Sequence, residues 1–306
     1  MSRSSQPSIG FVGFGEAGFN IAKGLKAAGI SRISAFDIHK DTPKLGEIIR
    51  RRAADADIPL VNSNRDLAAT SDVLFSTVTC ARAKEAAEQT APHLKPQHIY
   101  ADLNSVSPAL KQEIAAVIDK SGAGFVEAAV MSPVPPHGHR APMLLGGRAA
   151  PLFAELMKPF GMRLEVISEN VGAAAATKMF RSIIVKGLEA LMFESVLAAS
   201  PYGADERVFA SLAESFPGID WKRLADYMVG RVVLHGERRA REMEEVAETL
   251  RSIGIDPIMS EAAARRQDWC AQLGIASQFG PEGPKTYGEV LDYIKLRLPG
   301  IQRIPS

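Results

Sequence analysis

The chain has 306 residues, 46% apolar and 23% charged, and its 36 Lys and Arg against 35 Asp and Glu leave a formal charge of +1. That length suits about two domains with ample material for a buried core. The balanced charge offers no basic excess to neutralise a phosphate backbone and excludes nucleic acid as a partner. Two cysteines, Cys80 and Cys270, cannot build a disulfide framework or a zinc site, and fit a reducing compartment.

The first residues are polar, and the apolar stretch after them is broken by Gly10, Gly13, Gly15 and Gly18, so neither a signal-peptide core nor a membrane span is expected there. The apolar segment from Ser182 to Phe193 carries Lys186 and Glu189 and falls short of the roughly 18 uncharged residues a membrane helix needs. The expectation is a cytoplasmic protein with no membrane association.

In chain order, Ile9–Val12, Arg32–Phe36, Ile58–Val61, Val73–Thr77 and His98–Ala101 read as buried strands, short, β-branched or aromatic, and bounded by turn residues. Helical stretches at Glu16–Ala28, Thr42–Ala54, Ala81–Ala91 and Pro108–Lys120 lie between them. This alternation predicts right-handed crossovers and a doubly wound parallel sheet covered by helices on both faces. Further strands are expected at Gly124–Val130 and Pro142–Gly146, then a helix at Pro151–Phe160 and a strand at Arg163–Ile167.

Beyond Ser168 the texture changes. Asn170–Ser200 contains no proline and predicts one helix roughly 45 Å long. Helices at Asp205–Ser215, Asp220–Leu234, Glu237–Ile253, Pro257–Leu273 and Thr286–Leu296 follow, separated by Gly and Pro punctuation. The expected division is therefore an α/β domain over 1–168 and an all-α domain over 169–306 that begins with the long joining helix.

Gly13-Phe14-Gly15-Glu16-Ala17-Gly18 is a G-x-G-x-x-G placed between the first strand and the first helix. In that context Gly13 permits a tight turn, Gly15 lets the backbone approach a pyrophosphate, and Gly18 lets helix and strand pack closely. The pyrophosphate would sit at the helix N-terminus, where unpaired N–H groups favour an anion. Asp37 ends the second strand 19 residues after Gly18. An acid there accepts the ribose hydroxyls of NAD and repels the extra phosphate of NADP; His39 and Lys40 beside it keep NADP open as the alternative cofactor.

The segment from Ile9 to Gly18 resembles the opening signature of the β-hydroxyacid dehydrogenase family, which includes 3-hydroxyisobutyrate and phosphogluconate dehydrogenases. Three further blocks follow in that family's order, and the helical remainder resembles a branch with a C-terminal domain of unknown function. The resemblance implies an α/β Rossmann-type doubly wound parallel sheet followed by an all-α substrate and dimerisation domain, and a homodimer.

The second block, Asp102-Leu103-Asn104-Ser105-Val106-Ser107-Pro108, places Asn104 and Ser105 where the family has Ser and Thr. These residues end a predicted strand and precede a helix, so they lie at the carboxyl edge of the sheet, within reach of the nicotinamide ribose or a substrate carboxylate. Helix capping by Ser105 or Ser107 is the plainer role, compatible with the first. In the third block Met131, Ser132 and Pro133 stand where the family has Ser-Gly-Gly, and a proline-stiffened loop cannot offer the same N–H groups to a substrate. Ser132 is nonetheless a substrate-side candidate.

The fourth block, Gly172-Ala173-Ala174-Ala175-Ala176-Thr177-Lys178, resembles the family's Gly-x-Gly-x-x-x-Lys, with Ala174 for the second glycine. The resemblance makes Lys178 the general acid/base, an amine partly desolvated beside the cofactor that exchanges a proton with an alcohol or carbonyl. An amphipathic lysine with its ammonium in water is the bland alternative. Arg181 and Ser182 occupy the family's substrate-holding asparagine positions, and Arg181 could fork onto a carboxylate or join a salt bridge. Thr79, after the fourth strand, is placed at the nicotinamide ribose. His137 and His139 lack nearby carboxylates and make no metal site; they are expected at the rim of the substrate cleft.

These readings predict hydride transfer between NAD and a hydroxyacid substrate with Lys178 as proton carrier. Two rivals stay open: C=N reduction as in imine reductases, whose members usually lack the lysine, and a dinucleotide-binding or sensing protein without turnover.

Overall fold

The computed structural model describes residues 6–297. They form two compact units, divided between Lys178 and Met179. The first is built on a seven-stranded sheet of order β2-β1-β3-β4-β5-β6-β7, with β1 at Ile9–Val12, β2 at Ile33–Phe36, β3 at Val73–Ser76, β4 at Ile99–Asp102, β5 at Gly124–Val130, β6 at Met143–Gly146 and β7 at Leu164–Ser168. Its helices are α1 (Glu16–Ala27), α2 (Pro43–Ala56), α3 (Asn64–Ala69), α4 (Ala83–Thr90), α5 (Pro108–Asp119), the short α6 (Val134–His137) and α7 (Ala150–Met157). Helix α8 (Ala173–Ala199) crosses the division; α9 (Asp205–Ser215), α10 (Trp221–Ser252), α11 (Ile258–Gln272) and α12 (Tyr287–Arg297) complete the second unit. Among the described residues no helix is long and apolar enough to cross a membrane.

The central strands are apolar on both faces because both are covered. Ile9, Phe11, Val73, Phe75, Ile99 and Ala101 point into one core, while Val12, Leu74 and Tyr100 point into the other, the period-two alternation of a doubly covered sheet. Phe11 and Phe75 stack across neighbouring strands at 5.2 Å. Beneath α5, Lys111 and Asp102 form a fully buried ion pair at 2.9 Å. The second unit has its own cores between α8, α10, α11 and α12, and it buries a Glu189–Arg239 pair beside a Lys186–Glu242 bridge.

Four expectations are corrected. Ile58–Val61 forms no strand: the Pro59 carbonyl accepts the Ala35 N–H, Val61 N–H donates to Ala35, and only an isolated Ala35–Leu60 bridge results, since Pro59 has no N–H to extend a ladder. The sheet is not wholly parallel, because β6 runs antiparallel to β5. The segment between them contains no helix long enough to carry the chain back across the sheet, and Met131 N–H closes onto the Pro142 carbonyl at 2.8 Å. Helix α3 was not anticipated, although Ser63 caps it by accepting the Asp66 N–H at 3.1 Å, a Ser-x-x-Asp signal visible in the sequence.

The last correction concerns α10, a single helix where two were expected around Gly236. A Cβ on Gly236 would stand 2.7 Å from the Gln267 carbonyl. That glycine is there for the close approach of α11, and it does not break the helix.

Candidate active site

The glycine turn between β1 and α1 is built from three different constraints. Gly13 has φ +84°, and a Cβ there would meet Val78 Cγ1 at 2.7 Å and the Thr77 carbonyl at 2.9 Å. At Gly18 a Cβ would meet Thr77 Oγ1 at 2.6 Å, the same hydroxyl that donates to the Gly13 carbonyl at 2.7 Å. Gly15 differs from both: a Cβ there would meet no protein atom within 4 Å, and the residue faces an open cleft. The protein itself does not require glycine at that position, whereas close approach of a ligand to the backbone does.

The cleft has a volume of about 330 Å³ and is lined by Gly13, Gly15, Glu16, Ala17, Asp37 and Thr79 among the anticipated residues. Phe14 and Gly18 stand behind this lining. The Phe14 ring is fully buried against Phe11 and Phe19, and its N–H donates to Asp37 Oδ2 at 2.8 Å. Asp37 Oδ1 accepts from His39 N–H at 2.9 Å, so the carboxylate ties the end of β2 to the glycine turn while keeping lone pairs for a ribose hydroxyl. The cleft also uses Ile38, Asn64, Val78, Arg82, Glu85, Ala86 and Gln89. Sequence reasoning missed most of these because they come from α3 and α4, which carry no fingerprint of their own.

At the carboxyl edge of β4 the loop 102–107 is held from below. Asp102 accepts from Lys111, from the Asn104 N–H at 3.1 Å and from the Asn104 side-chain amide; that amide also donates to Ser76 Oγ at 2.9 Å. Asn104 is therefore a buried brace under the loop, with its Oδ1 left without a partner. Ser107, not Ser105, caps α5, accepting the Leu110 N–H at 3.3 Å. This leaves Ser105 at the exposed crest, where its hydroxyl accepts from Lys178 Nζ at 2.6 Å and its carbonyl accepts from the Cys80 thiol at 3.1 Å. Lys178 is half-buried.

The third block places Ser132 half-buried just past β5, its Oγ without a hydrogen-bond partner. His139 is not at a cleft rim as expected. It is buried, packed against α1 where Gly24 makes room for its ring. Arg181, exposed, and Ser182, half-buried, lie on α8 in the second unit.

Residues 8–159 match the NAD binding domain of 6-phosphogluconate dehydrogenase, and residues 199–270 match a domain of unknown function, DUF1932. Residues 8–159 thus belong to the 6-phosphogluconate dehydrogenase-type NAD-binding domain family. It is 37% identical to a solved conserved hypothetical protein from Sinorhizobium meliloti 1021, over 97% of this chain and 98% of that one, with a TM-score of 0.84. The mitochondrial 3-hydroxyisobutyrate dehydrogenase of Drosophila melanogaster is 27% identical over 70% of this chain and 65% of the fly enzyme. A 3-hydroxyisobutyrate dehydrogenase from Mycobacterium tuberculosis, solved with L-serine, shares the fold at 15% identity and a TM-score of 0.72, over 95% and 99% of the two chains.

As in this NAD-binding family, the residues present fit a nicotinamide dinucleotide. Gly15 leaves space that only a ligand would use, Asp37 offers a carboxylate to a ribose, and the α1 N-terminus has no side-chain cap competing for its N–H groups.

Proposed function

We propose that this protein interconverts the hydroxyl and carbonyl forms of a small hydroxyacid-type substrate, with NAD as hydride acceptor and donor and Lys178 as general acid/base. The observation that supports it most directly is the 2.6 Å hydrogen bond from Lys178 Nζ to Ser105 Oγ. It holds an amine at the carboxyl edge of β4, on a loop tied through Cys80 to the segment that also anchors the glycine turn.

The dinucleotide supplies the hydride chemistry, and the chain supplies orientation and proton exchange. Lys178 takes the hydroxyl proton on oxidation and returns it on reduction. Ser105 can accept from the ammonium and donate to the neutral amine, so it steadies the side chain in both protonation states. Ser132 Oγ is assigned to the substrate, and Asn104 acts from beneath by fixing the loop. Arg181 and Ser182 follow Lys178 by about one helical turn, and we assign them to substrate by that spacing. Asp37 sets the preference for NAD over NADP.

The test is a panel of hydroxyacids followed by NADH absorbance, with imines assayed in the reductive direction. We expect a hydroxyacid to be oxidised, and Lys178→Ala to lower kcat by about 10²–10⁴-fold with NAD affinity nearly intact. A near-native rate in Lys178→Ala would remove the acid/base role. NAD binding with no turnover of any compound would leave a nucleotide-binding protein.

A further inference from the structure

Glu127 lies on β5, deep in the first unit and fully buried, and the chemistry described so far makes no use of it. Its Oε1 accepts from Gly172 N–H at 2.8 Å and Ala174 N–H at 2.9 Å, and its Oε2 accepts from Ala175 N–H at 3.4 Å. These are amides at the start of α8, the helix that carries Lys178.

The sequence before and within that first turn, Val171-Gly172-Ala173-Ala174-Ala175-Ala176, contains no side chain able to accept them. A helix start needs acceptors for its first N–H groups, normally from its own N-cap residue. Here the acceptor arrives from a strand 45 residues upstream, and its negative charge faces the positive end of the helix dipole.

Two glycines make the arrangement possible. Gly146 pairs with Glu127 across the β5–β6 ladder, and a Cβ there would collide with the carboxylate. Gly172 has φ +105°, which turns the chain sharply into the helix so that its N–H and that of Ala174 converge on one oxygen.

We infer that Glu127 is the positioning residue for Lys178: by clamping the first turn of α8 to the sheet, it fixes the rotation and height of the helix and so keeps Lys178 Nζ on Ser105. The effect on turnover rests on the acid/base role proposed for Lys178, whereas the effect on the Lys178 side chain does not.

The experiment uses the full-length protein and compares wild type with Glu127→Ala and Glu127→Asp. Brief acetylation by a small amine-reactive ester is mapped by peptide mass spectrometry at Lys178 and at Lys111. Lys111, 1% exposed and paired with Asp102, reports global opening. We expect Lys178 labelling to rise severalfold in both variants while Lys111 stays protected, and kcat to fall about tenfold with KM and dinucleotide Kd within about twofold.

A purely structural cap would lower the melting temperature and leave Lys178 labelling and kcat at wild-type values; that result overturns the proposal. Should Glu127→Ala not fold, Glu127→Asp decides alone, since it keeps the charge but is one methylene too short to reach the same amides. Wild-type labelling and kcat in that variant also overturn the proposal. Exposed Lys178 with an unchanged kcat would preserve the positioning role and remove the acid/base role of Lys178.

Discussion

The Ser105 hydroxyl accepts a hydrogen bond from the Lys178 ammonium at 2.6 Å, joining the loop after β4 to the sixth residue of α8. Ser105→Ala removes that acceptor while leaving the carbonyl that takes the Cys80 thiol. We expect kcat to fall about tenfold, dinucleotide Kd to stay unchanged, and Ser105→Thr to restore most of the rate. Steady-state kinetics beside calorimetric titration of NAD measures both arms; equal kcat in Ser105→Ala and wild type would make the contact incidental.

Gly13 and Gly15 sit two residues apart and should fail in opposite ways. Gly15→Ala puts a methyl into open space at an ordinary φ of −71°, so the melting temperature should hold while NAD affinity drops at least about tenfold, the equivalent of one lost charge-assisted hydrogen bond. Gly13→Ala meets φ +84° and the Val78 and Thr77 contacts; it should destabilise the fold by about 1–3 kcal/mol. Thermal melts with NAD titration separate the two, and an unaltered NAD affinity in Gly15→Ala would argue against the cleft as the dinucleotide site.

The Lys111–Asp102 pair is buried on both sides. Lys111→Met leaves the Asp102 carboxylate without its counter-charge in the core, which should cost about 3–5 kcal/mol. By contrast Lys84→Met, at the solvent-exposed pair with Glu113, should leave the urea midpoint in place. Comparable midpoints for the two variants would mean that Asp102 is held by its amide donors alone.

Two histidines of the first unit tie stability to pH. Burial lowers the pKa of His98, with help from the Lys95 charge, and its Nδ1 accepts the Lys95 N–H at 2.9 Å. Burial also lowers the pKa of His139, assisted by Arg140. Both rings are favoured neutral in the fold, so the unfolded chain binds protons more readily. Their contribution is fully present above the unfolded value of about 6.5 and is lost as pH falls through the depressed folded values. The melting temperature should decline below about pH 6.5, less steeply in His98→Gln. A melting temperature that holds constant down to pH 5.5 would contradict this linkage.

Much of the fold was legible in local patterns. All six pairs of sheet neighbours join strands that short runs of sequence had already marked, and the turn Gly13–Gly18 carries glycines whose roles were separable in advance. Hydrophobic periodicity and turn residues act over a few positions, and they report themselves wherever they occur. Gly236 shows the limit of that logic. Its sequence context reads as a helix break, yet only the carbonyl of Gln267, thirty-one residues away, explains it.

By itself, then, the amino-acid order determined the layered α/β half, the helical half, the glycine turn before α1 and the candidate lysine, because each of these is encoded in residues adjacent along the chain. Tertiary structure alone decided that Glu127 caps α8, that Asn104 braces from beneath while Ser105 meets Lys178, and that His139 packs against α1. Those assignments depend on which buried donors and acceptors converge once distant segments are brought together, and a buried polar group finds its partner by proximity in space, wherever that partner lies in the sequence.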